Sequence, residues 1–223
     1  MDLIDAPERL SPRTLASLRA RLTADPIVIE GAGDGVFCRG LEPSALRPGW
    51  SETLDDALAD LRAVLGHLGE VPSAAVVDGD AVGGGVGLAA ACALVVATPR
   101  ARFALPELAL GLIPAAIWPA LRARCATGAL VAMMTHARSV DAEHAARIGL
   151  VDVVTETPRR WLKNLDRLDP AAFTRLRALT DRVEGRAPED ARRDCEAEAR
   201  AQLRDPRVLA RLDRFARGEA PWT

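Results

Sequence analysis

The sequence predicts an α/β fold followed by an all-helical region, and three observations carry the prediction. Short apolar runs of strand length recur between segments of helical period. One of them, Val71–Val77, leads through Asp78-Gly79-Asp80 into Gly83-Gly84-Gly85 and a small apolar helix, which is a strand–turn–helix joint. From Thr157 onward the strands stop, and each segment of helical period opens with proline. The change of pattern divides the chain into a core over 1–155 and a helical region over 156–223.

The elements follow in order. Ser11-Pro12 is an N-cap with proline at the first helical position, and the helix runs to about Leu22 with Leu15, Leu18 and Leu22 on one face. No element is assigned before it. Pro26–Glu30 (PIVIE) is a short buried strand. The turn Gly31–Gly35 is not a dinucleotide fingerprint, because Val36-Phe37-Cys38 follows it instead of a helix. Val36–Gly40 leads into an irregular loop, Leu41–Gly49. Ser51 caps a helix from Glu52 to about His67, with acids in its first turns. Val71–Val77 is the central strand, broken by Asp78-Gly79-Asp80, and Val86–Ala91 is the helix beyond the glycines. Leu94–Ala97 and Arg100–Leu105 are strands, Pro106-Glu107 opens a single helical turn, and Gly111–Pro114 is a loop. Trp118–Arg124, Gly128–Thr135 and Asp141–Ile148 are short helices, the last stopped by Gly149, and Val151–Val154 is a brief strand. The tail is helical near Pro158–Leu168, Pro170–Val183, Pro188–Leu203 and Pro206–Ala216.

Composition bounds the function. With 223 residues, 49% of them hydrophobic, the chain buries a sizeable core. A net charge of -2 gives no electrostatic case for nucleic acid. No apolar run approaches the roughly 20 residues of a membrane span, and the start carries no signal pattern, so a soluble cytoplasmic protein is expected. Cys38, Cys92, Cys125 and Cys195 show no metal spacing and read as reduced thiols. No metal site is expected.

Two readings of the glycines are open. Bare backbone at a helix N-terminus presents N–H groups to a carbonyl oxygen that gains negative charge during a reaction. The same glycines also permit close packing. Glu107 is the candidate proton carrier: apolar residues flank it on both sides (RFALPELALGLIP), and such surroundings raise a carboxyl pKa. Its alternative role is to favour its own helix terminus. His67 and His144 read as surface residues and His136 as a helix-end cap. Arg39, Arg47, Arg122 and Arg124 are candidates for an anionic substrate group, with solvated arginine the simpler reading of each. No nucleophile elbow or phosphate loop is present.

Several blocks together resemble the crotonase (enoyl-CoA hydratase/isomerase) superfamily. VFCRGLE (Val36–Glu42) looks like its first oxyanion loop, usually Phe-x-x-Gly-Ala-Asp. VDGDAVGGGVGLAAACALVVATPRARF (Val77–Phe103) looks like the second loop with its helix and next strand. LPELALGLIP (Leu105–Pro114) looks like the block of the second catalytic glutamate, and SVDAEHAARIGLVDVV (Ser139–Val154) also matches. The resemblance implies a spiral of ββα turns with a helical C-terminal trimerisation region, shortened at its N-terminus, assembled as a homotrimer or dimer of trimers. It implies that the Leu41 and Gly84 N–H groups hold a thioester carbonyl and that Glu107 is the catalytic carboxylate. Gly83, Gly85, Gly87 and Arg39 are the substrate-binding candidates. Gly87 falls where the first glutamate of the hydratase pair stands, and Leu41-Glu42 replaces Ala-Asp.

The glycine at 87, the block FALPELALGLIPAAIWPALRAR and the end RDPRVLARLDRFARGEAPW resemble one subgroup. It is the dehydratase of polyketide β-branching cassettes, which acts on 3-hydroxy-3-methylglutaryl held by an acyl carrier protein. The resemblance therefore implies dehydration of a β-hydroxyacyl thioester, delivered on CoA or on carrier-protein phosphopantetheine, with no other cofactor. The alternatives are a single-glutamate isomerase or decarboxylase, and a non-catalytic binding subunit of a synthase.

Overall fold

The computed structural model describes residues 1–23, 25–33, 35–42 and 51–184, together with scattered positions between 190 and 217. It divides into two compact units, Met1–Asp166 and Arg167–Thr223. The first is built on two sheets. Strands β1 (Asp2–Ala6), β2 (Ile27–Gly31), β4 (Ser73–Val77), β6 (Leu94–Ala97) and β9 (Val153–Val154) form one in the order β1-β2-β4-β6-β9, all parallel. Strands β3 (Val36–Cys38), β5 (Asp80–Val82), β7 (Arg102–Ala104) and β8 (Val140–Asp141) form the second, parallel except for β8. Successive strands alternate between the sheets, β2 then β3, β4 then β5, β6 then β7. Helix α2 (Ser51–Glu70) closes the first turn of this ββα spiral, and α3 (Gly84–Ala91) closes the second.

Burial explains the composition of the strands. β4 is buried at all five positions, because both faces of a central parallel strand are covered. One face meets the main core, which includes Phe37, Leu88, Phe103, Leu105 and Leu121. The other face, through Ala74 and Val76 together with Val28 of the neighbouring β2, packs on Leu162 and Leu165. Ser73, the first residue of β4, is a fully buried polar residue. Its hydroxyl donates to the Leu68 carbonyl at 2.5 Å and accepts from the Ala93 N–H at 3.0 Å, tying α2 to the start of β6.

The structure corrects the sequence reading in several places. An edge strand, β1, precedes the first helix; only Ile4 and Ala6 of it are buried, so its apolar signal is weak. Asp80 opens β5 instead of ending a turn, and Val36–Cys38 is a strand. β8 is only two residues long and pairs antiparallel with β7. The first helix spans Pro12–Arg21, with the capping box at Ser11 and Thr14. α4 (Trp118–Arg122), α5 (Thr127–His136) and α6 (Ala142–Arg147, capped by Asp141) match the three short helices within two residues at each end. The region near Pro158–Leu168 is not one helix but α7 (Arg159–Leu162) followed by a 3-10 turn, Leu165–Arg167. α8 (Pro170–Val183), capped by Asp169, matches its expectation, while most of Pro188–Leu203 and Pro206–Ala216 lies outside the described residues. Among the described residues no helix is long and apolar enough to cross a membrane. Cys38, Cys92 and Cys125 are buried and free.

Candidate active site

The site forms where two glycine-bearing loops touch. After β3 the chain pairs with the residues before the first helix. The Leu10 N–H donates to the Gly40 carbonyl at 2.8 Å, and the Glu42 N–H donates to the Leu10 carbonyl at 2.9 Å. In such a parallel bridge the groups of residues 40 and 42 face Leu10, so the N–H of Leu41 faces the opposite way. Gly40 adopts φ 72°, and a Cβ there would stand 2.5 Å from the Val82 carbonyl oxygen and 3.1 Å from the Gly84 nitrogen. Only glycine therefore lets the Leu41 loop approach the Gly84 backbone this closely.

The second loop is the end of β5. The Gly83 N–H donates to the Ala104 carbonyl at 2.8 Å, which fixes the turn to β7. Gly83 then turns the chain with φ 53° and becomes the N-cap of α3. Gly84 is the first residue of that helix, so its N–H has no acceptor within the helix. Among the described residues, neither the Leu41 nor the Gly84 N–H donates to a protein acceptor. Gly85 packs against β3: a Cβ on it would stand 2.0 Å from the Cys38 carbonyl oxygen.

Glu107 opens the 3-10 turn Glu107–Leu110, which ends at Gly111. Its carboxylate lies over Gly83, where a Cβ would stand 2.9 Å from Oε1. Oε2 is buried without a hydrogen-bond partner. Burial pushes the Glu107 pKa above its ordinary value, and its own backbone N–H pulls it part of the way back. Glu107 thus opens a helical turn and also presents a desolvated carboxyl with an open acceptor. The chain just beyond it lines an apolar cavity of about 320 Å³, bounded by Leu108, Ile113, Pro114, Ala115, Trp118 and Met134.

Gly87 stands apart from the other glycines. A Cβ there would stand 2.3 Å from Cγ2 of Ile117, a buried residue that the sequence reading did not single out. No motif marks Ile117; only the helix–loop contact reveals it. Arg39 is exposed, its guanidinium 3.9 Å from Glu8 and 3.7 Å from Asp80. Arg124 is not a solvated arginine. Its side chain is 12% exposed and binds the Asp152 carboxylate and the carbonyls of Leu150 and Cys92, so it clamps β6 and β9. Arg122 donates to the Cys125 carbonyl, and Arg47 lies outside the described residues. His67 is half-buried, with its Nε2 buried and without a partner. Among the described residues no cluster of His, Cys, Asp and Glu is arranged to hold a metal.

Comparison with known proteins shows the family of the chain. The family model described as enoyl-CoA hydratase/isomerase matches residues 13–207. The rat mitochondrial methylglutaconyl-CoA hydratase is 28% identical over 66% of this chain and 48% of its own length. The (E)-benzylidenesuccinyl-CoA hydratase of Thauera aromatica is 31% identical over 68% of this chain and 63% of its own. The chain thus spans less than two thirds of these relatives, and 12% of a peroxisomal multifunctional β-oxidation protein of rice that is 38% identical over 40% of this chain. Among solved structures, human enoyl Coenzyme A hydratase domain-containing protein 3 superposes with a TM-score of 0.83 at 19% identity, over 97% of this chain and 93% of that one. An enoyl-CoA hydratase of Mycobacterium smegmatis superposes with a TM-score of 0.82 at 24% identity, over 99% and 93%.

Proposed function

The chain belongs to the enoyl-CoA hydratase/isomerase (crotonase) family, and from that premise we propose that it dehydrates a β-hydroxyacyl thioester. The observation that carries this reading is the Glu107 carboxylate, desolvated and with Oε2 unpartnered, directly over the turn that presents the Gly84 N–H. The thioester carbonyl oxygen sits between the Leu41 and Gly84 N–H groups. Those donors stabilise the enolate, each at a level of about 3 kcal/mol for such a group. Glu107 takes the proton from the α-carbon, the C–O bond at the β-carbon breaks, and the same carboxyl returns the proton to the departing hydroxyl. One carboxylate serves both steps when the elimination is syn. A carboxyl whose pKa lies above the ordinary range is suited to both taking and giving a proton near neutral pH.

The proposed substrate is 3-hydroxy-3-methylglutaryl on an acyl carrier protein or on CoA, as a step in polyketide biosynthesis. The resemblance of the C-terminal RDPRVLARLDRFARGEAPW supports it. So does the similarity to methylglutaconyl-CoA hydratases, since adding water to a methylglutaconyl thioester gives a 3-hydroxy-3-methylglutaryl thioester. We place the protein in the cytoplasm as a homotrimer or dimer of trimers. The exposed apolar side chains Leu110 and Ile113, 69% and 72% accessible in the single chain, support an assembly that covers them. A second reading, double-bond isomerisation or decarboxylation of an acyl thioester, is favoured by the cavity beyond Glu107, whose lining among the described residues is apolar and includes no cation for a substrate carboxylate.

Mass spectrometry separates the readings. The protein is incubated with carrier protein, and separately with CoA, loaded with 3-hydroxy-3-methylglutaryl. Loss of water without loss of carbon dioxide is the expected result. No change in mass on either carrier, with turnover of a 3-enoyl-CoA, transfers the assignment to an isomerase. Loss of carbon dioxide from the dehydrated thioester transfers it to a decarboxylase.

A further inference from the structure

Gly83 and Gly87 stand one helical turn apart on the same face of α3, joined by the 3.2 Å bond from the Gly87 N–H to the Gly83 carbonyl. Glu107 covers the first of these bare positions and Ile117 covers the second. A Cβ on Gly87 would stand 2.3 Å from Cγ2 and 2.5 Å from Cβ of Ile117. Rotation about χ1 moves Cγ2 but leaves Cβ in place, so no rotamer of Ile117 opens the position. Its backbone is also held: its N–H donates to the Pro114 carbonyl at 3.2 Å, and its carbonyl accepts from the Leu121 N–H at 3.1 Å.

We infer that Ile117 is a specificity-determining residue that makes this a site with one carboxylate. The inference rests on the reading of Glu107 as the proton carrier. With position 87 closed, nothing larger than hydrogen fits beside Glu107 on this face of α3. The hydrocarbon of Ile117 also offers no hydrogen bond to hold a water there. Adding water to an enoyl thioester forms one C–O and one C–H bond and breaks one O–H bond and the C=C π bond. Here Glu107 alone orients that water, and chemistry needing a second acid on α3 is disfavoured. The cavity lined by Leu108, Ala115 and Trp118 is apolar as well.

The test uses the full chain. Because Cβ of Ile117 itself crowds Gly87, the relieving substitution is Ile117→Gly. Melting temperatures are measured for Gly87→Ala, Ile117→Gly and the double variant. Gly87→Ala is expected to lower the melting temperature in the wild-type background and to lower it much less in the Ile117→Gly background. Equal losses in both backgrounds overturn the inference. Hydration of crotonyl-CoA is then followed in the wild type, Gly87→Glu and Gly87→Glu/Ile117→Gly. At least a tenfold gain is expected in the double variant only, abolished by adding Glu107→Gln. A folded double variant with no gain, or a single Gly87→Glu variant with the same gain, overturns it. Failure of the proposed function reads differently: Glu107→Gln then leaves the turnover of β-hydroxyacyl thioesters unchanged, while the melting comparison still decides whether Ile117 closes position 87.

Discussion

The carboxyl of Glu107 is held half-buried against Gly83 with one oxygen unpartnered, and two consequences follow. Its raised pKa means that the folded chain binds this proton more tightly than the unfolded chain does. The carboxyl therefore favours folding below its ordinary pKa of 4.5, and that contribution is lost as pH rises through the folded value. Glutamine does not titrate, so Glu107→Gln should melt higher than the wild type at neutral pH, and the gap should narrow as pH falls toward 4.5. Thermal melts across that range check the sign. In turnover, the acidic limb of kcat/KM should lie above the usual glutamate range, because the base is lost as Glu107 protonates. Gly83→Ala should cut kcat by about tenfold or more, because the new Cβ would stand 2.9 Å from Oε1 and displace the carboxylate. Steady-state kinetics of that variant, with its fold checked by circular dichroism, tests this.

At the scale of elements, the site depends on α3 being bare. Its glycines let Cys38, Glu107 and Ile117 approach the helix axis, each against a different position. The sequence marks the first two dependencies, through the glycine run and through a carboxylate among apolar residues. The third is not marked, because Ile117 differs from other core residues only in what it touches. The missed strands have a related cause. β5 and β8 are three and two residues long, too short for an alternation to appear, and their pairing is decided by neighbours distant in the chain. The burial of the Arg124 side chain and of His67 Nε2 is not legible in the sequence, because burial of a polar side chain is a tertiary property that local composition does not record. Ser73 gives a test of this level. Ser73→Ala removes the two hydrogen bonds of a fully buried hydroxyl and should cost about 1–2 kcal/mol in urea denaturation. Activity of the folded fraction should stay unchanged, since Ser73 lies outside the site.

For the whole molecule, the spacing of apolar runs showed only strands interleaved with helices, while the ββα spiral was implied by the family resemblance of four blocks spread over Val36–Val154. How copies of the chain meet was not legible, since an interface leaves the same apolar signature as a core. The proposed trimer, with Leu110 and Ile113 covered between copies, predicts that sedimentation will read three chains or a multiple of three. Replacing both residues with aspartate should reduce the mass toward one chain.

The most direct test of the account compares wild type and Glu107→Gln on 3-hydroxy-3-methylglutaryl thioester, following loss of water by mass spectrometry. The account predicts that the variant folds and releases water at least about 100-fold more slowly, the scale of a lost general acid–base. Equal rates in the two proteins would contradict it, because proton transfer would then not pass through Glu107.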